Sequence, residues 1–281
     1  MGCRWLESAV EEVRRERVRG SWWCLTRLVE ALARCCEEGS VDADECARLV
    51  ESSNPSMAVV RNLSYVLRLS RSDPCRAVYS LRSYLAEARR RVVEESRGFL
   101  RGVVTSISFS SAVIDSIAGS GRVERVILLE SRPGGEAIYA ARRLRELGID
   151  ARVVPDTEMA RAVEESDVVA IGCDAVDRGA RVLNKVGSRP LAMVAKRLGR
   201  PVYVLCEAIK ICLGSYTCRD LEAATTWSYS IGDEAVEVRV FECVDPEDLA
   251  MIVTDLGPLH PTPPNVEHAA RTLLRKVVSH G

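Results

Sequence analysis

The sequence predicts an α/β protein: an N-terminal helical domain, residues 1–98, followed by a Rossmann-like, mostly parallel sheet domain, residues 99–281. Three observations lead there. Up to Gly98, apolar residues recur at helical spacing between short polar breaks. After Gly98, brief β-rich apolar runs alternate with helical stretches, the rhythm of βαβ units. Hydrophobic residues make up 47% of the chain but aromatics only 5%, so the core must be built from Val, Leu, Ile and Ala, as in parallel sheets covered by helices.

In the first part, Trp5, Leu6, Val10 and Val13 share one helical face, with Glu and Arg between them. Arg19-Gly20-Ser21 interrupts this helix, and Ser21 is placed to N-cap the next, which Glu37-Glu38-Gly39 closes. Val41-Asp42-Ala43-Asp44 starts a third helix. Ser53-Asn54-Pro55-Ser56 is a polar break before a fourth, over 57–69. Asp73-Pro74 opens a fifth, which ends near Gly98 in the charged run EARRRVVEESRG, a solvated face.

In the second part, strands are predicted over 103–107, 126–129, 151–154, 168–171 and 202–205, with helices over 110–118, 136–147, 158–165 and 190–198 between them. Right-handed crossovers would join them into one parallel sheet. Residues 236–241 alternate like an edge strand. Residues 246–256 and 271–278 read as helices, and 260–264 as an extended segment.

Composition narrows the function classes. The formal net charge of -1 favours neither nucleic acid nor an anionic membrane surface. No apolar run approaches a membrane span, and the charged N-terminus lacks the apolar centre of a signal peptide. The 11 cysteines show no metal-ligand spacing, so they are expected to be mostly reduced and buried in a cytoplasmic protein without a metal site. Arg greatly outnumbers Lys, a weak sign of a GC-rich or heat-adapted source. Neither Gly-x-Gly-x-x-Gly nor a Walker A pattern occurs, and no cofactor is expected. The three histidines sit near the C-terminus with no nucleophile elbow, which argues against a hydrolase.

The stretch IGCDAVDRGARVLNKVGS, residues 171–188, concentrates the chemistry. A buried strand ends at Gly172 and presents Asp174. After a turn come Asn184 and Lys185, then Gly187-Ser188 at a helix entry. Ligands of open α/β sheets sit beyond the carboxyl ends of the strands, where an acid, an amide and a cation suit an anionic, hydroxylated ligand. A strand-end Asp also serves as a plain turn former. Other polar residues fall at breaks between elements: Arg19-Gly20-Ser21, Asn54-Pro55-Ser56, Ser106 to Ser111, Glu130 to Arg132 and Lys210. Pro133-Gly134-Gly135 precedes a helix and is either a phosphate-cradling loop or an ordinary tight turn. A cleft between the two domains would collect such residues.

Four stretches carry a resemblance: VRGSWWCLTRLVEALARCCEE, NPSMAVVRNL, ESRPGGEAIYAARRLRELGIDARVVPD and GCDAVDRGARVLNKVGSRPLAMVAKRLGRPVYVL. Together they resemble the initiation-factor-2B alpha/beta/delta family, which also contains ribose-1,5-bisphosphate isomerase and methylthioribose-1-phosphate isomerase. The likeness runs from about Arg19 to Leu256. It implies a ligand between the domains and dimers through the second domain, with further assembly open. In the isomerase branch a cysteine acts as acid/base at carbon and an aspartate assists ring opening. The resemblance places that aspartate at Asp174, the amide–lysine pair at Asn184 and Lys185, a later lysine at Lys210, and a phosphate-holding segment at Arg19-Gly20-Ser21.

Two positions depart from the isomerase pattern. Where the isomerases carry Thr-His-Cys-x-Ser, this chain ends the segment Ser108-Phe109-Ser110, with Ser108 in place of the cysteine. A serine without an adjacent base is a poor proton acceptor. Asn54 stands where the isomerases have an arginine, which removes a bidentate phosphate clamp. The expectation is therefore a non-catalytic initiation-factor-2B-like protein that binds a nucleotide or sugar phosphate through Arg19, Gly20, Ser21, Asn54, Ser110, Arg132, Asn184, Lys185 and Lys210, and that docks the alpha subunit of translation initiation factor 2. The alternative is an aldose–ketose isomerase with Asp174 as general acid/base and Ser108 at the carbon centre.

Overall fold

The computed structural model describes residues 3–16, 20–39 and 41–278. Five helices come first: α1 (Arg4–Arg15), α2 (Gly20–Glu38), α3 (Ala43–Ser53), α4 (Ala58–Leu69) and α5 (Pro74–Ser96). Their apolar stripes meet in one core containing Leu6, Leu25, Leu28, Leu63, Leu67 and Leu81. Asp42 and Asp73 cap α3 and α5 by accepting backbone N–H groups of Glu45 and Arg76. The polar break Asn54–Ser56 separates α3 from α4, as its proline requires.

The α/β part runs β1 (Gly102–Ile107), α6 (Ser111–Ser120), β2 (Val123–Leu129), α7 (Ala137–Glu146), β3 (Asp150–Val154), α8 (Met159–Glu164), β4 (Val168–Ile171), β5 (Ala175–Val176), β6 (Val182–Lys185), α9 (Ser188–Arg197) and β7 (Val202–Leu205). There follow α10 (Cys218–Ala223), β8 (Thr226–Ile231), β9 (Glu234–Arg239), β10 (Phe241–Val244), β11 (Met251–Thr254), β12 (Gly257–Leu259) and α11 (Pro263–Val277). The main sheet has the order β12-β11-β7-β4-β1-β2-β3. It is parallel except for β12, which folds back on β11. Chain order reverses between β1 and β4, and that switch point is where ligands of such sheets bind. The central β4 is buried along its whole length, as its unbroken run of Val and Ala demands.

Several expectations need correction. Residues 246–256 are not a helix: a 3-10 turn at Pro246–Asp248 leads into β11 of the main sheet. The run Met251-Ile252-Val253-Thr254 is too short for a helix and too β-branched to prefer one. Residues 260–264 are only partly extended, because Pro263 and Pro264 occupy the first positions of α11, where a missing N–H costs nothing. The alternation at 236–241 belongs to two elements. β9 pairs with β8 in a separate two-stranded ribbon, while β10 pairs with β6. The short sheet β10-β6-β5 has no counterpart in the reading above, since two- and four-residue strands leave almost no period to detect. α11 returns to the helical part and buries Leu273 and Val277 in its core.

The cysteine expectation also fails in part. Cys3–Cys35, Cys36–Cys75 and Cys218–Cys243 form disulfides, and five buried cysteines stay free. Adjacent Cys35 and Cys36 on α2 reach different partners, with Cα separations of 5.8 and 5.5 Å, inside the range a disulfide bridges. No helix among the described residues is long and apolar enough to cross a membrane.

Candidate functional site

Asp174 stands just past β4 at the switch point, held by a backbone bond from its own N–H to the Leu183 carbonyl at 2.8 Å. Its carboxylate meets the helical part directly. The hydroxyl of Ser21, in the first turn of α2, donates to Asp174 Oδ1 at 3.1 Å. Ser21 is therefore inside the helix rather than its cap, and its hydroxyl bridges the two parts of the chain.

Beneath this contact lies a buried ionic cluster. Lys210 Nζ is 3.4 Å from Glu207 Oε2, and Arg89 of α5 donates to Glu207 Oε1. The Arg89 guanidinium also stacks on Trp22 at 4.9 Å and reaches Asp115 at 3.3 Å. Glu207 is fully buried, and its Oε2 makes no hydrogen bond. The 3-10 turn Ala208–Lys210 that carries the lysine is clamped twice. Asp255 Oδ1 accepts the Ala208 N–H at 2.6 Å and the Tyr84 hydroxyl at 2.9 Å. Asn62, buried in α4, donates to the carbonyls of Ile209 and Ile211 at 2.6 and 2.8 Å. Lys210 is thus fixed by both parts of the fold.

These surroundings set the charges. Burial pushes the Asp174 carboxyl above the usual carboxylate range, against the pull of Lys210 and the Ser21 hydrogen bond. Burial acts the same way on Glu207, but Lys210 and Arg89 together prevail and hold it below its ordinary value. Burial would lower Lys210, yet Glu207 and Asp174 raise it, so it remains a cation. One acid inclined to hold its proton beside a fixed cation suits proton exchange with a ligand oxygen.

A second group sits beyond β1 and β2. Ser108 has a left-handed backbone, φ 71°, and its N–H donates to Ser131 Oγ at 2.6 Å. Ser131 is also left-handed, φ 70°, and is pinned by Asp156, which accepts its N–H at 2.9 Å. The Ser108 hydroxyl donates to Glu136 Oε1 at 2.8 Å, and Lys185 Nζ lies 2.9 Å from the same oxygen. Ser108 therefore does have an adjacent carboxylate, contrary to the sequence expectation. Glu136 follows the Pro133-Gly134-Gly135 loop and lies 28 residues from Ser108, so only the fold brings them together. Lys185 is buried, not a solvated surface charge. Its ammonium also lies 5.4 Å from the Trp227 ring on the β8–β9 ribbon.

Gly172 joins the two groups. A Cβ there would come within 2.6 Å of Ser110 Oγ and 3.4 Å of Asn184 Oδ1, so only glycine permits this approach. Asn184 in turn donates to Ser188 at 2.8 Å. Arg132 is exposed at the rim and pairs with Glu130 at 3.1 Å. Asn54 lies in its own turn, with its amide oxygen accepting the Ser56 hydroxyl at 2.6 Å. Gly20 opens α2 beside Ser21, and Arg19 lies outside the described residues. Sequence reasoning missed Glu136, Glu207, Arg89 and Asn62. The only local signals were a Glu–Lys spacing of three at Glu207–Lys210 and a polar residue on the buried face of α4.

Helical part, switch-point acid and doubly wound sheet define an α/β protein of the doubly wound class, with a candidate site where the helical part meets the sheet. Residues 44–261 match the model of the initiation factor 2 subunit family, and the chain belongs to that family. An eIF-2B subunit 2-like protein of Pyrococcus furiosus is 26% identical over 267 residues, covering 90% of this chain and 95% of the relative. A ribose 1,5-bisphosphate isomerase of Archaeoglobus fulgidus is 24% identical over 278 residues, covering 90% and 89%. The crystal structure of the Pyrococcus horikoshii OT3 translation initiation factor eIF-2B superposes with a TM-score of 0.79 at 26% identity, covering 92% of this chain and 98% of that one.

Proposed function

We propose that this chain is an initiation-factor-2B-like regulatory subunit that binds a nucleotide or sugar phosphate where the helical part meets the sheet, beside the Ser21–Asp174 contact. The observation that carries the reading is the Ser21–Asp174 contact above the Lys210–Glu207–Arg89 cluster, which places an acid and a fixed cation where the two parts of the chain meet. Backbone N–H groups at Gly20–Ser21 and the cations Lys185 and Arg132 supply anion partners on either side. A ligand that binds only the folded state raises the melting temperature by RT ln(1 + [L]/Kd). Thermal-shift titration with AMP, GDP, ribose 1,5-bisphosphate and methylthioribose 1-phosphate tests this. A saturable rise with at least one of them is expected, and no rise with any would refute it. The subunit acts as a homodimer or larger assembly in the cytoplasm and docks the initiation factor 2 alpha subunit, which sedimentation and co-elution test.

The second reading, aldose–ketose isomerisation at Asp174, is favoured by one specific observation: the hydrogen bond from Ser108 to the Glu136 carboxylate.

A further inference from the structure

We propose that the groove between α5 and α11 is a second ligand site, apart from the Ser21–Asp174 junction, and that it takes a small aromatic anion carrying a hydrogen-bond donor. The inference stands on the groove alone and does not depend on what the junction binds.

The groove follows from how α5 divides its faces. Ala77, Val78, Leu81 and Leu85 go into the helical core, and α11 adds Leu273 and Val277 to the same core. Arg76, Tyr79, Ser83 and Glu87 follow one another at three- and four-residue spacing, so they share the other face of α5. That face is too polar to be sealed by α11. It forms one wall of a cavity of about 710 Å³, across from Asp255 and from Lys276 of α11. The volume lies within the range of small-molecule sites, roughly 300–1,000 Å³.

The charges favour an anion. Glu87 is paired with Arg91 at 2.9 Å, and Asp73 at the start of α5 accepts the Arg76 N–H at 3.0 Å as a cap. Arg76 and Lys276 form no side-chain ion pair among the described residues, so the charges left unpaired along the groove are both positive. A phosphate or carboxylate meets them with charge-assisted hydrogen bonds.

The walls favour a ring. Tyr79 is 40% exposed, and Tyr84 lines the groove with its hydroxyl already given to Asp255 Oδ1 at 2.9 Å. The two tyrosines therefore offer ring surface to a flat ligand.

The floor favours a donor. Asp255 is only 4% exposed. Its Oδ1 accepts both the Tyr84 hydroxyl and the Ala208 N–H, while its Oδ2 is buried without a hydrogen bond. Buried polar atoms are seldom left so, and a ligand O–H or N–H supplies the missing partner. Because Oδ1 is fixed from two sides, the floor is set before the ligand arrives, which lowers the cost of binding.

The test is calorimetric titration of the full chain at neutral pH with three probes: 4-hydroxyphenyl phosphate, phenyl phosphate and inorganic phosphate. The first should saturate one site and bind about 2- to 13-fold tighter than the second, the worth of one hydrogen bond. Inorganic phosphate should bind weakest. Tyr79→Ala should weaken both aromatic probes and leave inorganic phosphate unchanged. Arg76→Gln with Lys276→Gln, both exposed, should keep the melting temperature and weaken the aromatic probes about tenfold. Asp174→Asn should leave their binding as it is. Saturation by none of the probes would overturn the inference. Inorganic phosphate binding as tightly as the aromatic probes would also overturn it, as the groove would then be a patch of surface cations. Binding that survives the double substitution but is lost in Asp174→Asn would place the probes at the junction and overturn it too. None of these results bears on the junction reading, which the thermal-shift titration with sugar phosphates and nucleotides decides separately.

Discussion

The Ser21 hydroxyl and the Asp174 carboxylate, 153 residues apart in sequence, meet at 3.1 Å. This one hydrogen bond links the first turn of α2 to the end of β4 and brings the helical part over the switch point of the sheet. The ionic cluster below it makes the junction rigid but electrostatically expensive, and several consequences can be measured.

Asp174 works against stability. Its folded carboxyl sits above its ordinary value of 3.8, so it favours the folded state below that pH, and this contribution is lost as pH rises through the folded value. Above both values the part-buried carboxylate is a burden. Asp174→Asn, which still accepts from Ser21, should therefore melt higher than wild type at pH 7, with the difference shrinking toward pH 4. Melting curves across that range check the sign.

Lys210 and Glu207 behave in the opposite way. Glu207 is lowered from 4.5, so its contribution is present above that pH and fades as pH falls through the folded value. Lys210 is raised from 10.5, so its contribution is present below that pH and fades as the medium becomes more alkaline. Lys210→Met leaves Glu207 with Arg89 alone and Asp174 without the cation that opposes its burial, and should cost about 3–5 kcal/mol. Lys210→Met with Glu207→Gln should recover part of that loss. Urea unfolding of the four proteins in a double-mutant cycle gives the coupling.

Asp177, three residues after Asp174, has a different task. It is 1% exposed and accepts the N–H groups of Gly179, Arg181 and Cys218 at 2.9, 3.0 and 3.1 Å, while also pairing with the Arg181 side chain. Asp177→Ala strands the buried Cys218 N–H, worth about 1–3 kcal/mol, and frees the part-buried N–H groups of Gly179 and Arg181. It should destabilise strongly where Asp174→Asn stabilises. Equal effects from the two substitutions in denaturant melts would contradict these assignments.

The sulfur pattern can be counted. Native protein at pH 8 should react negligibly with a thiol reagent, because the five free cysteines are buried and Cys24, Cys46 and Cys212 are pushed up to about 12, 11 and 12. Denatured without reductant it should show five thiols, and after reduction all 11. Reduction should also lower the melting temperature, since each closed loop contributes roughly 2–4 kcal/mol.

Much of this was legible in the residues. β4 and β7 are continuous apolar runs between clear breaks, and their bounds match the expected 168–171 and 202–205. Asp174 was visible because it follows such a run directly. The left-handed Ser108 turn and the Glu136 carboxylate beside it were not, because neither left-handed backbone at a serine nor a contact across 28 residues leaves a local trace. The Arg89–Glu207 pair spans 118 residues and sits on a helix whose charge run looks solvated. Pairing of Cys35 and Cys36 to separate partners depends on how α1 and α5 pack on α2, which spacing alone does not give.

The most direct test of the central claim is a crystal structure of the protein soaked with ribose 1,5-bisphosphate. Density should lie within hydrogen-bond reach of Asp174 and Lys210, with one phosphate at Gly20–Ser21 and the other near Lys185 and Arg132. Density in the separate groove along α5, between Tyr79 and Lys276, with the Ser21–Asp174 junction unchanged, would contradict it.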